Sequence, residues 1–321
     1  MADVDIKENE ILKLDRRILS LLLKDNSSKK NIIWATDNYV SMGVGFEPTA
    51  EMTIDAITGD NGLMIRPRIA KSKEEQICRV RDKAEVFTPA WMCNCQNNLI
   101  DNAWFGEEGI FNSELDNDWR SRVGVIPFPT KDGKTWKDYV QDIRLEVTCG
   151  EAPYITSRYD TITGAPIAVS NRIGLLDRKL RVIAENTHSR EEWLDWAKKA
   201  MQSIYGYEWQ GDNLLLAREN ILFTYIEHFE LLYQEKPPLK ELESIAKIIS
   251  WNVWQMDGLK GVVPYSCRNT KITTYELWGA KEEILPCEGC MTDNIKRHNG
   301  IYCKIKDWNT GGTLRFISMI K

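Results

Sequence analysis

The chain has 321 residues, of which 43% are hydrophobic and 28% charged, and its formal net charge is -5. This composition is typical of a globular protein with a buried core. The negative charge excludes a molecule that is basic overall, so a contact with nucleic acid would have to come from a local patch. No stretch approaches the roughly 18 uninterrupted apolar residues of a membrane span, so no membrane association is expected. The N-terminal stretch is charged and lacks the apolar region of a signal peptide, which predicts a cytoplasmic location.

An N-terminal extension of helical and irregular character is predicted over residues 1–83. Apolar residues at helical spacing indicate an amphipathic helix over residues 5–24. A short strand is expected over residues 32–36. Residues 42–62 are rich in Gly, Thr and Asp, which is typical of irregular structure.

Positive charge gathers at the end of this extension, where acidic residues interrupt only at Glu74, Glu75 and Asp82. Such a segment predicts a patch that contacts the phosphates of DNA. An ordinary solvated face is the alternative. The basic residues are Arg66, Arg68, Lys71, Lys73, Arg79, Arg81 and Lys83.

The central part of the chain, residues 84–261, alternates predicted strands with predicted helices. A helix is expected over residues 90–104, where Thr88 is placed to cap it, and residues 106–135 are loop-like. The later alternation predicts a parallel sheet with helices on its faces. Its strands are expected over 144–148, 205–209 and 253–256, with helices over 172–185, 189–204, 213–230 and 239–250.

Polar residues that can bind a ligand follow each of these three strands. Glu146 and the turn Cys149-Gly150 follow the first strand, Glu208 ends the second and Asp257 follows the third. The carboxyl ends of parallel strands meet at one edge of a sheet, which is where ligands bind in such folds. A glycine turn lets the backbone approach a ligand closely. A plain junction between strand and loop is the alternative for the first of these stretches.

Four short motifs carry a resemblance to a known family. They are VFTP at 86–89, LEVTCGEAP at 145–153, YEWQGDNLLLARENIL at 207–222 and WQMDGL at 254–259. Their order resembles that of S-adenosylmethionine-dependent DNA adenine-N6 methyltransferases, particularly the modification subunits of restriction-modification systems. The resemblance implies a Rossmann-like class I methyltransferase sheet with S-adenosylmethionine as cofactor and DNA as partner.

The resemblance also implies roles for individual residues. The turn after the first strand would approach the methionine part of the cofactor, Glu208 would accept the ribose hydroxyls and Asp257 the adenine amino group. The Phe-Thr-Pro element would supply an aromatic wall. The implied cofactor-binding residues are Phe87, Thr88, Pro89, Glu146, Cys149, Gly150, Glu151, Ala152, Pro153, Glu208, Trp209, Asp257 and Gly258.

The chain departs from the family pattern at the catalytic motif. The family uses an Asn or Asp followed by Pro-Pro and an aromatic residue to hold the flipped adenine, and this tetrapeptide does not occur in the sequence. Catalytic residues are therefore not assigned. A partner subunit could supply the catalytic loop. The chain could instead be an inactive relative that binds DNA or protein in phage or host defence, or residues 151–154, Glu-Ala-Pro-Tyr, could act in altered form.

The C-terminal segment, residues 262–321, is β-prone and rich in cysteine. Cys287 and Cys290 have the spacing of a zinc knuckle, and Cys267 and Cys303 would complete a structural four-thiolate zinc site, with His298 as a substitute for one of them. Cysteines in a chain without a secretory signal are expected to be thiols or metal ligands rather than disulfides. Unligated thiols are the alternative.

Overall fold

The computed structural model describes residues 8–83, 85, 88–129, 133–276 and 278–320, so Phe87 lies outside the described residues. The helices are α1 (Glu8–Leu14), α2 (Arg16–Leu23), α3 (Ile54–Ile57), α4 (Lys73–Lys83), α5 (Ala90–Phe105), α6 (Trp136–Gln141), α7 (Leu175–Asn186), α8 (Arg190–Gln202), α9 (Gly211–Tyr233), α10 (Leu239–Asn252) and α11 (Glu288–Thr292). The strands are β1 (Asn112–Leu115), β2 (Asp118–Ser121), β3 (Arg144–Glu146), β4 (Ile204–Glu208), β5 (Val253–Gln255), β6 (Thr270–Glu276), β7 (Gly279–Leu285), β8 (Lys304–Lys306) and β9 (Thr313–Arg315).

The amphipathic helix predicted over residues 5–24 is interrupted at Asp15, between α1 and α2. Asp15 has an extended backbone, and its carboxylate accepts a hydrogen bond from Arg17 N at 2.6 Å. An aspartate in this position caps a new helix, because it satisfies one of the free N–H groups of the first turn. The apolar periodicity continues through the break, which explains why the pattern alone predicts one helix.

A three-stranded parallel sheet lies at the centre of the fold. β4 lies between β3 and β5 and pairs in parallel with both. α7 and α8 connect β3 to β4, and α9 and α10 connect β4 to β5. The mixed α/β class is therefore confirmed, with the three predicted strands in one sheet. The other described strands form separate antiparallel pairs, so the sheet is smaller than the Rossmann-like sheet implied by the resemblance.

The two faces of this sheet are covered by different parts of the chain. Ile204 and Val253 belong to the main core, which the helices share, whereas Tyr207 and Trp254 belong to a second core. This division follows from the alternation of side chains along a strand. The C-terminal members of the second core are Val263, Cys303, Ile305 and Phe316. The C-terminal segment therefore covers the sheet face opposite the helices.

The N-terminal extension is part of the main core. α2 packs against α10, and its buried Leu19 and Leu22 belong to the same apolar cluster as Ile245 of α10. Trp34 O accepts a hydrogen bond from Gly211 N at 2.8 Å, at the start of α9. The boundary predicted at residue 83 does not separate two cores.

α9 is buried over most of its length and joins these parts of the fold. The buried guanidinium of Arg218 donates to Val253 O at 2.8 Å and to Lys24 O at 3.0 Å, at the start of β5 and the end of α2. Burial lowers the pKa of Arg218 to about 10.

Among the helices in the described ranges, none combines the length and the apolar character needed to cross a bilayer.

Candidate functional site

A cleft of about 770 Å³ lies beyond the carboxyl ends of β3 and β4. Its volume is in the range of sites that bind small molecules. The predicted cofactor residues in its wall are Thr88, Glu146, Cys149, Gly150, Glu151, Pro153, Glu208 and Trp209. Further wall residues include Arg81, Asp82, Glu85, Tyr154, Gln210 and Asn213. The structure thus brings together the first two predicted strand ends.

The loop after β3 turns sharply as it enters the cleft wall. Thr148, Gly150 and Ala152 have φ values of 49°, 52° and 64°. A left-handed conformation is costly for a β-branched residue such as Thr148, and such conformations persist where the surrounding structure enforces them. Cys149 N donates to Tyr207 O at 2.9 Å, which holds the loop against β4.

Glu208 lies at the end of β4 and bridges the two strand ends. One carboxylate oxygen accepts from Gly150 N at 3.0 Å and the other accepts from Gln210 N at 3.1 Å. Burial raises the pKa of Glu208, although both N–H groups act in the opposite direction. The prediction that Glu208 and the glycine turn share one site is consistent with this arrangement.

Glu146 and Glu151 add two more buried carboxyl groups to the same wall. Glu146 accepts from Ile155 N at 3.1 Å, and burial raises its pKa to about 8. Glu151 accepts from Arg68 N at 2.6 Å and from Tyr159 Oη at 2.7 Å, and burial raises its pKa as well. Three acids with raised pKa values therefore lie in one cleft, a pattern that is common at functional sites.

Two further wall residues were not predicted from the sequence. Gln210 Oε1 and Asn213 Oδ1 are buried and have no hydrogen-bond partner among the described residues. Buried polar atoms are normally paired, so these two oxygens remain open to a donor from outside the described residues, such as water or a ligand. The signal in the sequence was the polar start of the helix that follows Glu208.

The third predicted strand end does not line the cleft. The carboxylate of Asp257 accepts from the backbone of Leu259 at 3.1 Å and pairs with Lys260 Nζ at 3.2 Å. It shapes a turn that leads into the C-terminal segment. Gly258 lies in the same turn, and a Cβ there would come within 2.9 Å of the Tyr207 ring. The implied contact of Asp257 with a cofactor is therefore not supported by its position.

Gln255, the last residue of β5, makes hydrogen bonds across the carboxyl end of this strand. The Gln255 side chain accepts from Ile33 N at 2.9 Å and donates to Trp209 O at 2.8 Å. The bond to Ile33 attaches the N-terminal extension at the end of β5, where a ligand contact was expected. Of the other implied residues, Ala152 is buried in the main core and Pro89 precedes α5. Thr88 does not cap α5, because Asp160 accepts from Ala90 N instead, at 2.7 Å.

The basic segment does not form one exposed patch. Lys71 and Arg79 are buried, and Arg79 pairs with Asp212 and, at 2.8 Å, with Glu85. Lys73 and Arg81 are exposed, but Arg81 pairs with Asp82 at 2.7 Å. Arg66 and Arg68 are half-buried, and the side chain of Lys83 lies outside the described residues. Lys71 and Arg79 therefore belong to the interior rather than to a DNA-binding surface.

Three cysteines and a histidine of the C-terminal segment form a group that could hold a metal ion such as zinc. The ligand atoms of Cys267, Cys287, Cys290 and His298 all lie within 4.8 Å of one another. Cys303 does not join them. Its thiol lies in the second core and donates to Gln255 O at 3.4 Å, so His298 takes the fourth position that was predicted for Cys303.

Comparisons with family models, with curated proteins and with solved structures gave no match for this chain.

Proposed function

We propose that the chain binds S-adenosylmethionine in the cleft and is a methyltransferase-like protein of the DNA adenine-N6 class. The observation that carries the proposal is the set of buried acceptors at the ends of two parallel strands. Glu208 is the residue to which the resemblance assigns the ribose hydroxyls, and Gln210 and Asn213, whose carbonyl oxygens are unpaired among the described residues, line the same wall. A ligand rich in donors suits these acceptors.

The buried acids of the wall favour this cofactor over a nucleotide with phosphates. Burial raises the pKa values of Glu146, Glu151 and Glu208, and Arg81 in the same wall is paired with Asp82. A bound cation favours the ionised form of such acids, whereas a phosphate opposes it. S-adenosylmethionine carries a sulfonium and an ammonium group, and it supplies an electrophilic methyl group when bound.

A partner subunit is the favoured source of the missing catalytic loop. Both carboxylate oxygens of Glu151 accept hydrogen bonds within the wall, so residues 151–154 are poorly placed to hold a base. β3 has a neighbouring strand on one side only among the described residues. Ile143, Leu145 and Val147, in and next to β3, are 68%, 44% and 56% exposed. The open side of β3, with exposed apolar side chains near it, offers a place for a segment of another chain.

An inactive scaffold that binds DNA or protein is the second candidate. The missing catalytic tetrapeptide and the burial of Lys71 and Arg79 favour it over a chain that methylates DNA alone. Methyl transfer from radiolabelled cofactor to DNA separates the two candidates. Incorporation by the purified chain alone would refute both the inactive scaffold and the need for a partner.

Isothermal titration calorimetry with S-adenosylmethionine tests the cofactor proposal. We expect saturable binding, weakened at least tenfold in Glu208→Gln, because an acceptor is replaced by a donor that also opposes Gly150 N or Gln210 N in the cleft wall. Glu185→Gln, outside the cleft, should bind as the wild type does. Asp257→Asn should also retain binding, which distinguishes this structure from the family pattern. A wild-type chain that shows no binding at millimolar cofactor would overturn the proposal.

A further inference from the structure

We propose that Cys267, Cys287, Cys290 and His298 form a structural zinc site that holds the C-terminal segment on the sheet. The site is independent of the proposed cofactor, and its ligand set is the alternative in which His298 substitutes for Cys303. The argument rests on the distances within the group, on the backbone around it and on its place in the fold.

The distances match those of ligands around one tetrahedral ion. His298 Nδ1 lies 3.7 Å from Cys267 Sγ, 3.7 Å from Cys287 Sγ and 3.6 Å from Cys290 Sγ. Zinc bonds of about 2.3 Å to sulfur and about 2.0–2.1 Å to nitrogen place tetrahedral ligands about 3.6 Å apart. The observed spacing therefore leaves room for one zinc ion at the centre of the group.

Hydrogen bonding does not explain this geometry. A ring nitrogen offers either one proton or one lone pair, so Nδ1 cannot bond to three thiols at the same distance. A thiol–thiol disulfide also fails to explain it, because all three cysteines are free. A cation at the centre accounts for all three distances at once.

The backbone around the group is shaped to hold it. A Cβ at Gly289 would lie 2.6 Å from His298 Nδ1, so the knuckle between Cys287 and Cys290 needs a glycine there. Asn299 N donates to Cys287 Sγ at 3.2 Å, a bond that stabilises a thiolate ligand. Such outer contacts orient the ligands of metal sites.

A pair of hydrogen bonds fixes the first ligand to the last. Arg268 N donates to Asn299 Oδ1 at 3.0 Å, and Asn299 Nδ2 donates to Arg268 O at 2.7 Å. Residues next to Cys267 are thereby bonded to residues next to His298. The hairpin β6–β7 lies between Cys267 and Cys287 in the chain, so the site joins the two ends of this hairpin.

The site lies where the chain turns from the sheet into the second core. Val263 N donates to Ile301 O at 2.8 Å, and Cys303 N donates to Gly261 O at 3.0 Å, directly before and after the ligand segments. Tyr265, two residues before Cys267, contacts the Trp209 ring in the cleft wall with a centroid distance of 5.5 Å. Zinc would thus hold the segment that covers Trp254 and supports Trp209.

Metal analysis of the untagged full-length chain tests the proposal. Purified under reducing conditions, it should contain about one zinc per chain, and cobalt substitution should give the absorption bands of tetrahedral thiolate coordination. Cys290→Ser should lose zinc, whereas Cys78→Ser, at an exposed position outside the group, should keep it. Zinc below one tenth per chain after reconstitution, or full zinc in Cys290→Ser, would overturn the site.

A thiol assay on the wild type keeps the test independent of variant folding. With metal bound, the three ligand thiols should react slowly with a disulfide reagent, and a chelator should make all three reactive together. The same chelation should lower the melting temperature of the wild type, because binding free energy is folding free energy at such a site. Unchanged thiol reactivity after chelation would contradict the proposal, whatever the outcome of the cofactor titration.

Discussion

Gln210 and Asn213 place two carbonyl oxygens in the cleft wall that no described donor reaches. A buried acceptor without a partner costs about 1–3 kcal/mol in the free protein. Under the proposed function, a ligand that donates to these oxygens recovers this cost on binding. A binding role therefore predicts that removing one carbonyl oxygen lowers affinity without lowering stability.

The near-isosteric substitution Gln210→Met separates these roles. Without ligand, the free energy of unfolding should stay the same or rise by about 1 kcal/mol, because an unpaired carbonyl is removed. Affinity for S-adenosylmethionine should fall about tenfold, which equals about 1.4 kcal/mol. Urea unfolding and calorimetry measure the two effects. A variant that loses stability and retains affinity would show that Gln210 is structural.

Site residues were predictable where a strand end provides both the position and the chemistry. Glu208 and the Cys149-Gly150 turn follow apolar strands directly, and the structure places them in the cleft. Asp257 follows a strand too, but its carboxylate caps its own turn. A carboxylate that binds local N–H groups cannot be told from one that binds a ligand by sequence position alone.

At the scale of elements, α4 is held by Arg79, the one buried side chain among those described in this helix, rather than by an apolar face. Its Ile77 and Val80 are 65% and 40% exposed, whereas Arg79 is buried between Glu85 and Asp212. Tyr39 also donates to Asp212, at 2.9 Å. The helix was not predicted, because its apolar residues show no helical stripe and its charges suggested a surface patch.

Replacing Arg79 tests this anchor. Arg79→Met removes the direct ion pair of buried Asp212 and leaves Glu85 with only the buried Lys71, at 4.0 Å, which should destabilise the protein by about 3–5 kcal/mol. Arg81→Met, two residues along the same helix, removes a fully exposed charge and should leave the urea midpoint unchanged within error. Equal midpoints for the two variants would show that the ion pair does not anchor α4.

At the scale of the whole molecule, the chain builds two cores on one small sheet. The alternation of strands and helices predicted the sheet and its helices, because both depend on local periodicity. It did not predict that the C-terminal segment covers the second face. That arrangement depends on contacts between distant residues, such as Trp254 with Phe316 at a ring distance of 5.3 Å.

The buried acids of the cleft make the stability of the whole molecule depend on pH. Burial raises the pKa of Glu146 from 4.5 to about 8, and it raises those of Glu151 and Glu208 in the same direction. Between pH 4.5 and about pH 8, Glu146 binds more protons in the folded state than in the unfolded state, so the free energy of unfolding falls as pH rises. The contribution is complete below about pH 4.5 and is lost by about pH 8.

Glu146→Gln isolates this effect, because a neutral amide does not titrate. From about pH 5 to about pH 8.5, the free energy of unfolding of the wild type should fall by roughly 2–4 kcal/mol relative to the variant. Urea unfolding of both proteins across this range measures the difference. Any loss that Gln causes by presenting an N–H to Tyr154 N or Ile155 N is independent of pH and cancels. A difference that stays constant with pH would show that burial does not raise the pKa of Glu146 in the folded protein.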